Sequence, residues 1–169
     1  MYGVEAAQAG FTEFYAAARD SCLSTVTVLV GDHQLAEELV AEAFSRAWLS
    51  WKTVSRHPAP EAWVVRVALN LHVSRWRHLR RETLLLGEAK AEPSCQDHPE
   101  PEDDLLSAVR QLPPRQREVI ALRVLLDLDA ATTAKALDIS PKTVGVHLHR
   151  ALARLRTKIP ARNQQETLQ

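Results

Sequence analysis

Apolar residues in the first half of the chain recur at helical spacing. Phe11, Phe14, Tyr15, Ala18, Cys22 and Val26 follow the i, i+3, i+4 rule, and so do Leu35, Leu39, Ala43 and Ala47. No alternation of apolar and polar positions, the mark of a half-buried strand, competes with it. The run Pro58-Ala59-Pro60 interrupts the pattern, since proline has no amide hydrogen to give to a helix. A further helix is predicted from about Glu61 to Arg81, which completes a three- or four-helix bundle over residues 1–86 containing all four tryptophans.

The pattern stops at residues 87–104, which hold three prolines, seven acids and almost nothing apolar, and read as a flexible acidic linker. A second helical unit is predicted over 105–160, with a short tail at 161–169. It begins with Leu105 to Gln111, breaks at Pro113-Pro114 and resumes from about Arg115 to Leu126. Asp129 is placed to cap a short helix over Ala130 to Leu137. Asp138-Ile139-Ser140 then forms a tight turn, and Pro141 opens a long helix to about Ile159. Ser140 before Pro141 is a strong start signal, because the hydroxyl accepts an orphan amide hydrogen and proline has none to leave unpaired. The expected fold is therefore all-α, two small helical domains, the second with a helix-turn-helix.

Composition narrows the class. With 46% hydrophobic and 25% charged residues the chain is neither disordered as a whole nor a membrane protein. Its apolar runs fall far short of the roughly 20 residues that span a bilayer, and no basic-then-apolar leader opens it. Cys22 and Cys95 sit in no metal-ligand spacing, so neither zinc nor a disulfide framework is expected, and a reducing cytoplasm fits best. The formal net charge of zero hides a separation of sign. Residues 1–86 balance nine cations against nine acids, 87–104 carry one against seven, and 105–169 carry eleven against five. A basic unit following an acidic connector points to nucleic acid.

In the Pro141 helix, Val144, Leu148, Ala151, Leu152, Leu155 and Ile159 form one apolar stripe. The opposite face carries Lys142, Thr143, Val146, His149 and Arg150, with His147 and Arg154 on its flank. A short helix, a tight turn and a second helix with a polar, basic start is the arrangement that lays a recognition helix in the major groove. The long cations would mostly meet phosphates, with base readout left to Lys142, Thr143, Val146 and His147. A small bundle with a solvated basic face is the alternative.

The Glu61 to Arg81 helix is apolar over most of its circumference except along Trp63, Arg66, Asn70, Ser74, Arg77 and Arg81, which recur at three- and four-residue steps. A row of arginines with an aromatic plate and an amide suits single-stranded or melting DNA; Trp63 as a core residue behind a solvated face is the bland reading. On the preceding helix Glu38, Glu42 and Arg46 share a face, which on its own is an exposed stripe with an i,i+4 pair. No phosphate loop, nucleophile elbow or zinc-protease motif occurs, so no catalytic residue, metal or cofactor is expected.

In this order the pieces resemble the extracytoplasmic-function group of bacterial RNA polymerase sigma factors. The likeness is carried by Ala36-Glu-Glu-Leu-Val-Ala-Glu-Ala-Phe-Ser-Arg-Ala-Trp48, Pro60-Glu-Ala-Trp-Val-Val-Arg-Val-Ala-Leu-Asn-Leu-His-Val-Ser-Arg-Trp76, Leu112-Pro-Pro-Arg-Gln-Arg-Glu-Val-Ile120 and Leu148-His-Arg-Ala-Leu-Ala-Arg-Leu-Arg156. The resemblance implies a promoter-specificity subunit in the cytoplasm whose partners are core RNA polymerase and promoter DNA. Glu38, Glu42 and Arg46 would dock on the clamp helices of the polymerase largest subunit. The Trp63 to Arg81 ridge would contact the −10 element, with the loop Lys52 to Pro60 helping to hold a flipped base. The helix-turn-helix would read the −35 element while the linker threads the polymerase channel. Members are often held inactive by an anti-sigma partner, which no residue here reveals. A helix-turn-helix regulator with a helical sensor or dimerisation domain, and an enzyme with a cryptic carboxylate site, are the rival readings.

Three departures from the family pattern fall in the helix-turn-helix. Val144-Gly145-Val146-His147-Leu148 stands where Val-Lys-Ser-Arg-Leu is usual, Asp138 replaces the turn glycine, and Thr133 takes an apolar position. A glycine inside a helix costs about 1 kcal/mol relative to alanine. The expectation is a −35 contact that is weak or unusual in sequence, with the −10 contacts carrying more of the selectivity.

Overall fold

A computed structural model of the chain describes residues 2–85 and 104–158, all of its regular structure helical. The chain divides into two compact units, residues 1–98 and 99–169. The acidic linker expected at 87–104, apart from its last residue, and the tail at 161–169 lie outside the described residues.

The first unit is built from α1 (Tyr2–Val30), α2 (His33–Leu49), the single turn α3 (Trp51–Val54) and α4 (Pro60–Leu85). Gly31, at a φ of 84°, ends α1 by returning its amide to the Thr27 carbonyl at 2.8 Å. This left-handed position is one that glycine occupies without a Cβ penalty. Asp32 then starts α2, its carboxylate accepting from the Leu35 amide at 2.9 Å. Helices α1, α2 and α4 pack against one another. Ala18, Cys22 and Val26 of α1, Ala36, Leu39 and Ala43 of α2, and Val64, Val65 and Ala68 of α4 are buried between them. Burial pushes the Cys22 thiol up to about 12, so it remains a protonated, inert core residue.

Two features of this unit differ from the sequence reading. Residues 52–60, expected as a loop, begin with the helical turn α3, so only 55–59 are irregular. The aromatic residues of α1 form a cluster with residues far along the chain. The Phe11 ring centroid lies 5.1 Å from Trp48 and 5.3 Å from Trp51, and Tyr15 meets Phe44 edge-on at 4.9 Å.

The second unit contains α5 (Asp104–Arg110), α6 (Pro114–Ile120), a π-helical turn (Ala121–Leu125), α7 (Ala130–Leu137) and α8 (Pro141–Lys158). Asp104, the last acid of the expected linker, already belongs to α5. The expected single helix from Arg115 to Leu126 widens after Ile120, where Leu126 bonds to the Ala121 carbonyl five residues back. The chain leaves it through Asp127 at a φ of 50°. Arg123 donates to the Leu128 carbonyl and ties down this exit. The core is Val119, Ile120 and Leu122 against Leu137, Val144, Ala151 and Leu155.

Candidate nucleic-acid interface

Helix α7 starts and stops through its own side chains. Asp129 accepts from the Thr132 amide at 2.8 Å and from the Thr132 hydroxyl at 2.7 Å. These bonds, the backbone one first, hold its carboxyl below the usual carboxylate range. The cap's contribution is thus present above the unfolded carboxylate pKa and lost as pH falls through the lowered one. At the other end Asp138 takes the left-handed conformation, φ 54° and ψ 50°. This is the conformation for which a turn glycine is best suited, and aspartate holds it at some strain. Ser140 then caps α8, its hydroxyl accepting from the Thr143 amide at 3.1 Å and lying 2.8 Å from the Thr143 hydroxyl. Both starts and the turn between them stand where the residue types place them.

Along α8 the buried line is Val144, Ala151 and Leu155; Leu148 is half-buried, and Leu152, expected within the stripe, is 38% exposed. The outward face carries Lys142, Val146, His149 and Arg150, all exposed, whereas Thr143 is half-buried beside its cap. The flank turned toward the rest of the unit is more engaged than expected. His147 is half-buried, and its Nδ1 is interior without a hydrogen-bond partner. Arg154 donates to the Oε1 of the buried Gln116 on α6 at 3.3 Å, and Lys158 donates to Gln111. Two of the basic residues on α8 therefore fasten the recognition helix, one to α6 and one to Gln111 in the turn that follows α5. Spacing within α8 carried no sign of this, because the partners lie 38 and 47 residues away.

In the first unit the α4 ridge lies on the back of its buried stripe. Asn70, Ser74, Arg77 and Arg81 are exposed, while Trp63 and Arg66 are half-buried at the end nearer the irregular 55–59 segment. There His57 Nδ1 sits 2.8 Å from the Ala59 carbonyl and 3.1 Å from its amide, which fixes the approach to Pro60. The amide, the arginines and the indole thus share one helix side, and the indole is neither fully buried nor free of the fold.

On α2 the expected charged face is present, with Arg46 Nε donating to Glu42 Oε1 at 2.8 Å. Glu38 also has a partner that its own helix does not supply. Arg75 of α4 donates to its Oε2 at 2.9 Å, with both side chains about half exposed. Such a pair is worth about 0–1 kcal/mol and orients the carboxylate more than it stabilises the bundle. Leu49 lies on the same face, seven and three residues after Glu42 and Arg46, and is 84% exposed. The sequence reading missed both Arg75 and Leu49. Leu49 was legible as an apolar residue on a charged stripe; Arg75 required the packing of α2 on α4.

Family comparison falls on the same two units. Residues 14–82 match the model of sigma-70 region 2, and residues 102–155 match that of sigma-70 region 4. The RNA polymerase sigma-E factor of Streptomyces antibioticus is 33% identical over 156 residues, spanning 90% of this chain and 86% of that protein. The chain belongs to the extracytoplasmic-function sigma factors. A second relative, the ECF RNA polymerase sigma factor BldN of Streptomyces coelicolor, is 32% identical over 168 residues, 90% of this chain and 64% of that protein. The fold is shared with a sigma factor RpoE from Bartonella quintana, crystallised in complex with the anti-sigma factor NepR. That likeness has a TM-score of 0.69 at 21% identity and covers 88% of this chain and 95% of the other. The ECF sigma factor described here is accordingly an RNA polymerase sigma factor directing promoter recognition, with the helix-turn-helix as a DNA-binding element. The reading as a separate helix-turn-helix regulator is not favoured. Among the described residues no helix is long and apolar enough to cross a membrane.

Proposed function

We propose that this sigma factor works by binding alone, through three surfaces assigned to particular residues. Glu38, Glu42 and Arg46 on α2 dock on the largest subunit of core RNA polymerase, with Arg75 orienting Glu38 and Leu49 as an apolar anchor at the end of the stripe. Trp63, Arg66, Asn70, Ser74, Arg77 and Arg81 on α4 engage the −10 element as it opens. Lys142, Thr143, Val146, His147, Arg150 and Arg154 on α8 engage the −35 element, Arg154 with one nitrogen already given to Gln116. The domain plan is region 2 over 1–86, an acidic linker over 87–104, region 4 over 105–160 and a tail over 161–169.

The observation that carries this reading is the outward placement of the α4 ridge on the side opposite Val64, Val65 and Ala68. A helix needs only one buried side to fold, and on the other side Asn70, Ser74, Arg77 and Arg81 are exposed to DNA backbone and bases, with Trp63 and Arg66 half-buried at its end. Catalysis has no comparable support. Among the described residues, a groove lined by Tyr15, Arg19, Leu23, Glu37, Val40 and Phe44 holds one carboxylate, half exposed and 3.6 Å from His33 Nε2 one turn away on α2. We read the chain as a specificity subunit that acts on RNA polymerase in the cytoplasm, with no catalytic step or cofactor of its own. An anti-sigma protein, of the kind that the Bartonella relative binds, is its expected antagonist.

Adding the purified chain to core RNA polymerase that lacks any sigma factor tests the proposal directly. Specific run-off transcripts from genomic promoter fragments are the expected result. Absence of both transcript and co-migration with core would discard it.

A further inference from the structure

Gly145 is not explained by the fold that contains it. It lies inside α8, the helix interior is the place where glycine is least favoured after proline, and the backbone there is ordinary helix rather than a positive-φ position. A Cβ built on it meets nothing within 4 Å, so no neighbouring element needs the space. At about 100° per residue, Gly145 shares an arc of the helix with Lys142, Val146 and His149. Val144, Ala151 and Leu155 occupy the opposite side and are buried. Next to it Val146 keeps 40% of its surface exposed although its side chain is purely apolar. Val146 near the middle of the exposed face and Gly145 toward its edge therefore leave a shallow apolar step between Lys142 and His149, in a helix whose other exposed positions are mostly polar.

We infer that Gly145 and Val146 form the specificity-determining contact of α8, a close-packed apolar seat for the 5-methyl group of a thymine in the upstream promoter element. The inference rests on the proposed DNA-binding role of α8 and adds the chemistry it reads. In the major groove the thymine methyl is the apolar feature among base-edge groups that otherwise donate or accept hydrogen bonds, and small apolar side chains are what pack on it. A missing Cβ lets the helix backbone approach the base edge more closely, the use to which glycine is put wherever a backbone meets a ligand. Lys142 and Arg150 would hold the phosphates on either side and fix the register. Lysine or arginine at that step would instead select guanine.

Replacing thymine by deoxyuridine removes that methyl and nothing else, so it is the probe. Promoters recovered by run-off transcription with the full chain and core polymerase are resynthesised with each upstream thymine replaced in turn by deoxyuridine. At one or two positions holoenzyme binding is expected to weaken on the order of fourfold per methyl lost. With Val146→Ala the same replacements are expected to make no difference. Gly145→Ala is expected to raise the thermal midpoint of the free protein and yet weaken binding several-fold to the unmodified promoter, opposite movements that a merely structural glycine would not produce. Binding indifferent to deoxyuridine, upstream elements without thymine, or a Gly145→Ala variant that binds as well as the parent would overturn the inference while leaving promoter-directed transcription intact. If no fragment yields a transcript, the proposed function fails first, and the inference with it.

Discussion

Trp63→Ala is expected to reduce transcription about five- to a hundredfold without loosening the chain from core polymerase. Stacking of a base on an aromatic plate is worth about 1–3 kcal/mol by alanine substitution, and each 1.4 kcal/mol is a factor of ten. The loss should appear in strand opening. Binding to a promoter with a pre-melted −10 segment should fall, whereas retention of core by the α2 face should not. Because Trp63 is half-buried, alanine also removes some packing, so Trp63→Phe is the informative companion. It keeps an aromatic face and is expected to restore most of the activity. Asn70→Ala supplies the separate test of base-edge reading, since Asn70 is exposed and contributes nothing to the core. Its loss is expected to blunt discrimination between −10 sequences more than overall binding. A Trp63→Ala chain that opens promoters normally would remove the ridge from the mechanism.

How much of this site could be read in advance depends on the range of the interactions that build it. The starts of α2, α7 and α8 rest on Asp32, Asp129 and Ser140 bonding amides three residues away, so three or four consecutive residue types suffice to place them. The ridge on α4 is likewise a property of one helix, because a strip of polar residues at three- and four-residue steps stays on one side however the helix packs. The pairing of Glu38 with Arg75 and of Arg154 with Gln116 crosses 37 and 38 residues. Each needs two elements to be docked before the side chains meet, and periodicity within either helix holds no information about it. The π-helical turn was hidden for a related reason. Val119 to Leu128 contains no proline or glycine to signal a change, and the wider turn depends on Asp127 leaving the helix at positive φ while Arg123 secures the exit. The consequence for function is uneven. Outward-facing chemistry was legible, but which cations had already been claimed by the fold was not.

Helix α7 offers the sharpest test of what holds region 4 together, because two residues at its buried side should respond in opposite directions. Leu137 has no exposed surface and belongs to the core against α8; Leu137→Ala is expected to cost about 2–5 kcal/mol through lost transfer energy and the cavity left behind. A unit of this size has roughly 0.05–0.15 kcal/mol per residue in reserve, so that loss takes most of it. The helix-turn-helix should melt while α1, α2 and α4 remain folded, giving two separated thermal transitions in place of the parent's closer ones. Upstream-element binding should vanish with the first. Thr133 is equally buried, yet its hydroxyl has no hydrogen-bond partner. Burying a hydroxyl unpaired costs about 1–3 kcal/mol by the measure of protein mutations, and valine has nearly the same shape. Thr133→Val is therefore expected to raise the thermal midpoint of region 4 by about 4–8 °C, the shift that about 1 kcal/mol produces in a small domain. Differential scanning calorimetry on the full chain reads both changes. Were Thr133→Val to destabilise as Leu137→Ala does, the hydroxyl would have to be making a bond, and α7 would sit differently against α8 than its packing implies.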